Sequence, residues 1–285
     1  MFPPVNTKDP TAVEVEVQAA SLAMFPNSDV MFVPQAFGWA IDCFTGHYPG
    51  YQKIDARYHD LEHTMQGTLC MARVLRCRAR QRAMPELSRH YFELGLLAIL
   101  FHDTGYLKEK DDRVGTGAKY TVVHVERSAV FAARFLKQKG YSPQDIFAIQ
   151  HMIKCTGVDA VMSKIDFGNE EERMVGHALG TADLLGQMAA QDYVDKLAIL
   201  YSEFAEAAQQ AKDRTHFISM FSSVEDLKQK TPVFWEKYVL PKLDRDFGGL
   251  YRYLNEPYPD GRNYYLDRIA ANIQRLREQL ATASV

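Results

Sequence analysis

The stretch Leu94-Gly95-Leu96-Leu97-Ala98-Ile99-Leu100-Phe101-His102-Asp103-Thr104-Gly105 decides the fold. Its first eight residues carry no charged or polar side chain. A helix built from them is apolar on every side, so it runs through a core rather than along a surface. Such a helix must be enclosed by others, and the rest of the chain reads as helical too. Residues 33–47 form one pattern that stops at Tyr48-Pro49-Gly50. Over about 55–80, Tyr58, Leu61, Met65, Leu69 and Ala72 recur at spacings of three or four. Pro85 opens the apolar helix, Thr121 reads as the N-cap of a helix that ends at Gly140, and Ser142-Pro143 starts the next. Further patterns cover about 170–189, 191–212, 223–247 and 262–281, while Pro3, Pro4, Pro10 and Pro26 break any long element in the first thirty residues. No repeat and no alternating strand run occurs. The expectation is an all-α fold, one domain over 1–285, with a core at about 33–190, a C-terminal helical extension at about 191–285 and an N-terminal addition.

Composition narrows the function classes. Of the 285 residues, 47% are hydrophobic and 24% charged, which excludes long-range disorder. Asp+Glu (36) slightly exceeds Lys+Arg (33), so the net charge of −3 leaves no basic footprint for nucleic acid or an anionic membrane. The longest apolar run, 96–101, is far too short to span a bilayer, and the N-terminus lacks a basic segment followed by an apolar one. Cys43, Cys70, Cys77 and Cys155 form no CxxC pair, which suits a reducing compartment. A cytoplasmic protein is expected.

Three features stand out among nine histidines. Tyr58-His59-Asp60-Leu61-Glu62-His63 puts His59 and His63 at i and i+4, one face if the segment is helical. His102-Asp103 ends the most apolar helix, and a charged pair carried inward by a buried helix needs a partner, for which a divalent cation is well suited. Asp183 is a lone carboxylate in the apolar run Thr181-Ala182-Asp183-Leu184-Leu185, with Gly176 and Gly180 on its face to allow close approach. His47, His90, His177 and His216 belong to no motif, and His177, six residues before Asp183, points to a different helical face.

The order His63 … His102-Asp103 … Asp183 over about residues 55–190 resembles the HD superfamily of metal-dependent phosphohydrolases. The resemblance implies an HD-type helical bundle in which His63, His102, Asp103 and Asp183 hold a first metal. The segment from Tyr58 to His63 is also similar to the Tyr-His-Asn-x-x-His signature of cyclic-nucleotide phosphodiesterases, with Asp60 in place of Asn. By that likeness His59 is the general acid. His124 and His151 complete the ligand order of binuclear HD proteins, in which Asp103 bridges two ions and His124 and His151 bind the second. An imidazole-rich set with few carboxylates suits Fe, Mn, Zn, Ni or Co rather than Ca or Mg.

Paired cations make hydroxide available near neutral pH and offset charge on a phosphoryl group, so catalysis would centre on Asp103 and His59. The reading implied is hydrolysis of a small nucleotide or other phosphate ester, a phosphate-containing small molecule being the expected partner. A mixed-valent di-iron oxygenase that cleaves C–C or C–P bonds shares the same ligand order, and an idle scaffold is the third possibility. Lys108-Glu109-Lys110-Asp111-Asp112-Arg113 is too charged for burial and reads as a solvated loop or, as it leaves the His-Asp pair directly, a lid. Glu62, Glu126 and Lys154 are candidates to orient ligands or substrate. Specificity is expected in 104–120, in 155–169 and in the C-terminal helices, whose tyrosines and arginines also suit helix packing or a homodimer contact.

Overall fold

The computed structural model describes residues 2–210 and 217–282, so His216 lies outside it. Among the described residues ten α-helices follow in order: α1 (Pro10–Met24), α2 (Phe32–Thr45), α3 (Leu61–Arg80), α4 (Arg89–Phe101), α5 (His124–Gln138), α6 (Pro143–Ile153), α7 (Glu170–Met188), α8 (Tyr193–Gln210), α9 (Val224–Phe234) and α10 (Tyr264–Thr282). Among the described residues the only sheet is a two-residue hairpin, antiparallel, pairing Asn255 with Asn263 and Glu256 with Arg262. The fold is all-α.

Helix α4 lies at the centre, against α2, α3, α6 and α7. Leu97, Ile99, Leu100 and Phe101 are at most 1% exposed, so every side of its last turns is covered. Each such side chain contributes roughly 1.5–3 kcal/mol on burial, and together they offset the desolvation of the polar pair that follows. The most extensive contact is that between α3 and α7. It is close because a Cβ added at Gly186 would meet the Gln66 carbonyl at 2.7 Å, and Gly67 sits under the Asp183 backbone.

Caps set several boundaries, and three differ from the expected ones. Asp60 accepts from the His63 N–H at 3.0 Å and caps α3, so the helix starts at Leu61 and His59 stands before it rather than on its face. Ser88, three residues after Pro85, caps α4 through the Tyr91 N–H. Thr121 donates to the Ala118 carbonyl instead of capping α5, which begins at His124. Ser142, Pro143 and Gly140 do act as expected: Ser142 caps α6, Pro143 opens it, and Gly140 ends the preceding helix at φ +84°. The first thirty residues hold a fifteen-residue helix after all, for Pro10 occupies the first position of α1 behind the cap Asp9, and Pro26 falls beyond its end. The 223–247 pattern is not one helix, because α9 passes into wider π-type turns at Trp235–Val239 and Lys242–Asp246.

Gly186→Ala is expected to destabilise the protein by about 1–3 kcal/mol, since the new methyl meets backbone and α3 must shift from α7. Urea denaturation of the variant beside the parent measures it, and unchanged stability would contradict the close approach.

Candidate metal centre

His63 comes from the first turn of α3, His102 and Asp103 from the end of α4, and Asp183 from α7. His63 Nε2 lies 3.2 Å from Asp103 Oδ2 and 3.2 Å from Asp183 Oδ1. His102 Nε2 lies 3.3 and 3.5 Å from the same two oxygens. All four residues are buried. The distances are those of neighbours, yet His102 Nε2 and Asp103 Oδ2 have no hydrogen-bond partner, so these atoms converge on a point rather than on each other.

That arrangement fits a cation. Ligand atoms each about 2.1 Å from one ion lie about 3.0 Å apart at a right angle and about 3.4 Å apart at the tetrahedral angle. Two imidazoles and two carboxylates suit a transition ion. The electrostatics agree in sign. Burial alone would raise the Asp103 and Asp183 carboxyls, but the adjoining His102 and His63 hold both far below the usual range. Burial opposes the charged form of His63 as well, and the two carboxylates outweigh it, pushing the imidazole up to about 10. The interior thus stabilises two carboxylates only through positive charge beside them.

The remaining histidines differ in their relation to this cluster. His124 Nε2 is 3.9 Å from Asp103 Oδ1, so the second carboxylate oxygen faces it. Burial holds the His124 ring below its ordinary pKa. His151 on α6 bonds Glu172 through Nδ1 at 2.8 Å and packs edge-on to Phe167, and no described contact joins it to Asp103 or His124. His59 bonds Glu203 on α8 through Nδ1 at 2.6 Å, its ring 5.4 Å from that of His63. Four of the candidate site rings therefore have Nδ1 tied to an oxygen: His59 to Glu203, His102 to the Ile99 carbonyl, His124 to the Thr121 carbonyl and His151 to Glu172. Fixing Nδ1 leaves Nε2 as the free nitrogen, the arrangement that metal-binding and acid–base imidazoles need. His63 is the exception, its Nδ1 having no partner among the described residues.

Several expected roles change. Glu62 pairs with Lys196 at 2.7 Å, away from the cluster. Glu126 and Lys154 make a loose pair at 3.9 Å near the surface. Lys108 is buried, contrary to expectation, because Asp55 at 2.8 Å and the Gly115 carbonyl at 2.7 Å satisfy its ammonium. The loop after it is held by the Gln52 amide, which donates to the carbonyls of Glu109 and Asp112, a tether that argues against a lid. His177 packs between Phe167 and Phe247, and its burial lowers its pKa to about 4. Gly180 does permit close approach, to Phe247 and the Cys155 carbonyl.

Residues that the sequence reading passed over complete the surroundings. Glu203 accepts from the Tyr58 N–H at 2.7 Å as well as from His59, and these partners hold its carboxyl low against burial. It sits on the apolar face that Leu197, Leu200, Phe204 and Ala207 trace along α8, where a carboxylate is as conspicuous as Asp183 is in α7. Tyr106 stacks between His59 and His124, with ring centroids at 4.5 and 4.7 Å. A cavity of about 370 Å³ opens beside these groups, and His59, His63, Asp103, His124 and Asp183 form one end of it. Its other walls come from 154–160 and from α7, α8 and α9, while 104–120 contributes Tyr106 alone.

Residues 49–256 match the model of the Npun_R2479-like family. The chain belongs to that family. The span covers every residue of the cluster as well as His59, His124, His151 and Glu203, so in this Npun_R2479-like chain the site lies inside the family unit and α10 outside it. No match was found among curated proteins.

Glu203→Ala is expected to cost about 1–3 kcal/mol in urea denaturation, since it strips the acceptor from a buried N–H and from His59, and Glu203→Gln, which keeps an acceptor, less. Equal losses from the two variants would contradict the acceptor role.

Proposed function

We propose that this protein is a metal-dependent phosphohydrolase of the HD type, acting on a phosphate ester. One observation carries the reading: buried His63, His102 and Asp103 bring their ligand atoms within 4.8 Å of one another with Asp183 Oδ1 beside both rings, and His102 Nε2 and Asp103 Oδ2 have no hydrogen-bond partner. The like order of these residues in HD phosphohydrolases supports it. A bound transition ion would supply Lewis acidity toward phosphate oxygen and a coordinated water acidic enough to ionise near neutral pH. His63, His102, Asp103 and Asp183 would hold it. His124, with its Nε2 toward the free oxygen of Asp103, is the residue of this chain best suited to a second ion, and His151, which makes no described contact with Asp103 or His124, is the less direct candidate.

His59 is the candidate proton donor. Glu203 holds its Nδ1, so Nε2 is the nitrogen available to the cavity. In hydrolysis the ester P–O bond breaks, water delivers oxygen to phosphorus, and His59, protonated on both ring nitrogens, passes its Nε2 proton to the leaving alcohol oxygen. The proton released from water then restores the imidazole. Tyr106, stacked on His59, limits the ring's tilt.

Elemental analysis of protein purified without chelator is expected to find at least one transition ion per chain. His102→Ala, Asp103→Ala and Asp183→Ala should each lose it. A protein that holds no metal even after loading with Mn, Co or Ni would overturn the proposal. Iron as the dominant metal, with O2 consumed alongside an organophosphonate, would favour the oxygenase instead.

His59→Ala should retain the ion while phosphoesterase turnover falls by about 10²–10⁴-fold. Loss of metal in that variant would move His59 from proton donor to ligand. Saturating metal at roughly 100 times its dissociation constant should stabilise the folded chain by about 2.7 kcal/mol, read as a thermal shift that chelator reverses.

A further inference from the structure

The cavity beside the metal centre has two unlike ends. At one stand His59, His124, Asp103 and Asp183. The rest is faced largely by hydrocarbon, including Leu184 and Met188 from α7, Leu197 and Leu200 from α8, Leu227 from α9 and Phe234 at its end. Among the described lining residues only Lys154 and Lys242 carry a fixed positive charge. Lys242 is buried and already bonded to the Ala160 carbonyl at 3.1 Å and to Asp246 at 3.3 Å. Lys154 stands near Glu126 at the partly exposed rim.

A nucleoside di- or triphosphate brings several negative charges and a polar sugar, and each group moved from water to an unmatched apolar wall costs free energy. An apolar group gains by the same transfer, in proportion to its area. Resting on the phosphohydrolase reading, we infer that the substrate is a phosphate monoester of an apolar alcohol, its phosphate at the His/Asp end and its hydrocarbon body among the helices α7, α8 and α9. At about 370 Å³ the cavity lies at the small end of ligand sites, which sets a compact body such as a medium alkyl chain rather than a long lipid tail. Leu200 and Leu227, from separate helices, are the specificity-determining residues.

Alkylphosphonic acids test this without turnover, because water does not cleave their C–P bond. Isothermal titration calorimetry of the full-length, Mn-loaded chain is run with methyl-, butyl- and octylphosphonic acid and with AMP. Each buried methylene should tighten binding about fourfold, so the octyl compound should bind at least a hundredfold more tightly than the methyl one, and more tightly than AMP. Leu200→Gln and Leu227→Gln should each weaken octylphosphonate binding tenfold or more, with circular dichroism and metal content unaltered. Affinity independent of chain length, AMP bound more tightly than octylphosphonate, or no binding of any of them would overturn the inference. Metal content of the same samples separates the two readings. Metal-free protein that kept the chain-length dependence would sink the hydrolase and leave the apolar subsite standing. Metal-loaded protein without that dependence would do the reverse.

Discussion

Two carboxylates, Asp103 and Asp183, are held in the interior of a helical protein, and the surrounding structure is arranged around the cost of keeping them there. An ionised carboxylate among apolar side chains is tolerated only with compensating charge. His63 and His102 supply part of it, which is why both acids stay ionised and both rings are pushed toward the charged form. Such mutual support needs the facing nitrogen and oxygen atoms held 3.2–3.5 Å from one another. Backbone contact between α3 and α7 at Gly67 and Gly186, and the enclosed last turns of α4, hold them there. Packing energy from the apolar helix thus offsets the burial of a polar pair.

The C-terminal helices are part of the same arrangement rather than an appendage to it. Glu203 on α8 reaches back to the segment before α3, taking the Tyr58 N–H and the His59 ring together. It thereby stabilises an extended stretch that has no helical hydrogen bonds of its own and aims one nitrogen into the cavity. Helices α8 and α9 also contribute much of the apolar wall. One end of the cavity is polar, and the other is largely hydrocarbon.

Much of this was legible in the residues. A run with no polar side chain, ended by His102-Asp103, can only be a core helix that carries charge inward, and Asp183 in α7 follows the same logic. Ser142-Pro143 and Gly140 mark boundaries because their backbone preferences are local. The failures were local as well. Pro10 looked like a breaker but opens α1, since a helix start has no use for the missing N–H. His59 looked helical by spacing, but Asp60 ends the extended segment by capping α3. Lys108 looked exposed by its charge and is buried because Asp55, more than fifty residues earlier, meets it.

The sequence by itself determined the all-α class, the central helix with its enclosed last turns and the candidate metal-ligating residues, because periodicity and side-chain chemistry are properties of short stretches. Tertiary structure alone decided which of those residues meet. His63, His102 and Asp103 come together, Asp183 lies against both rings and His124 stands beside Asp103, whereas no described contact joins His151 to Asp103 or His124. It also decided that Glu203, over 140 residues away, holds His59. Such pairings depend on how helices pack, at distances along the chain over which no spacing rule operates.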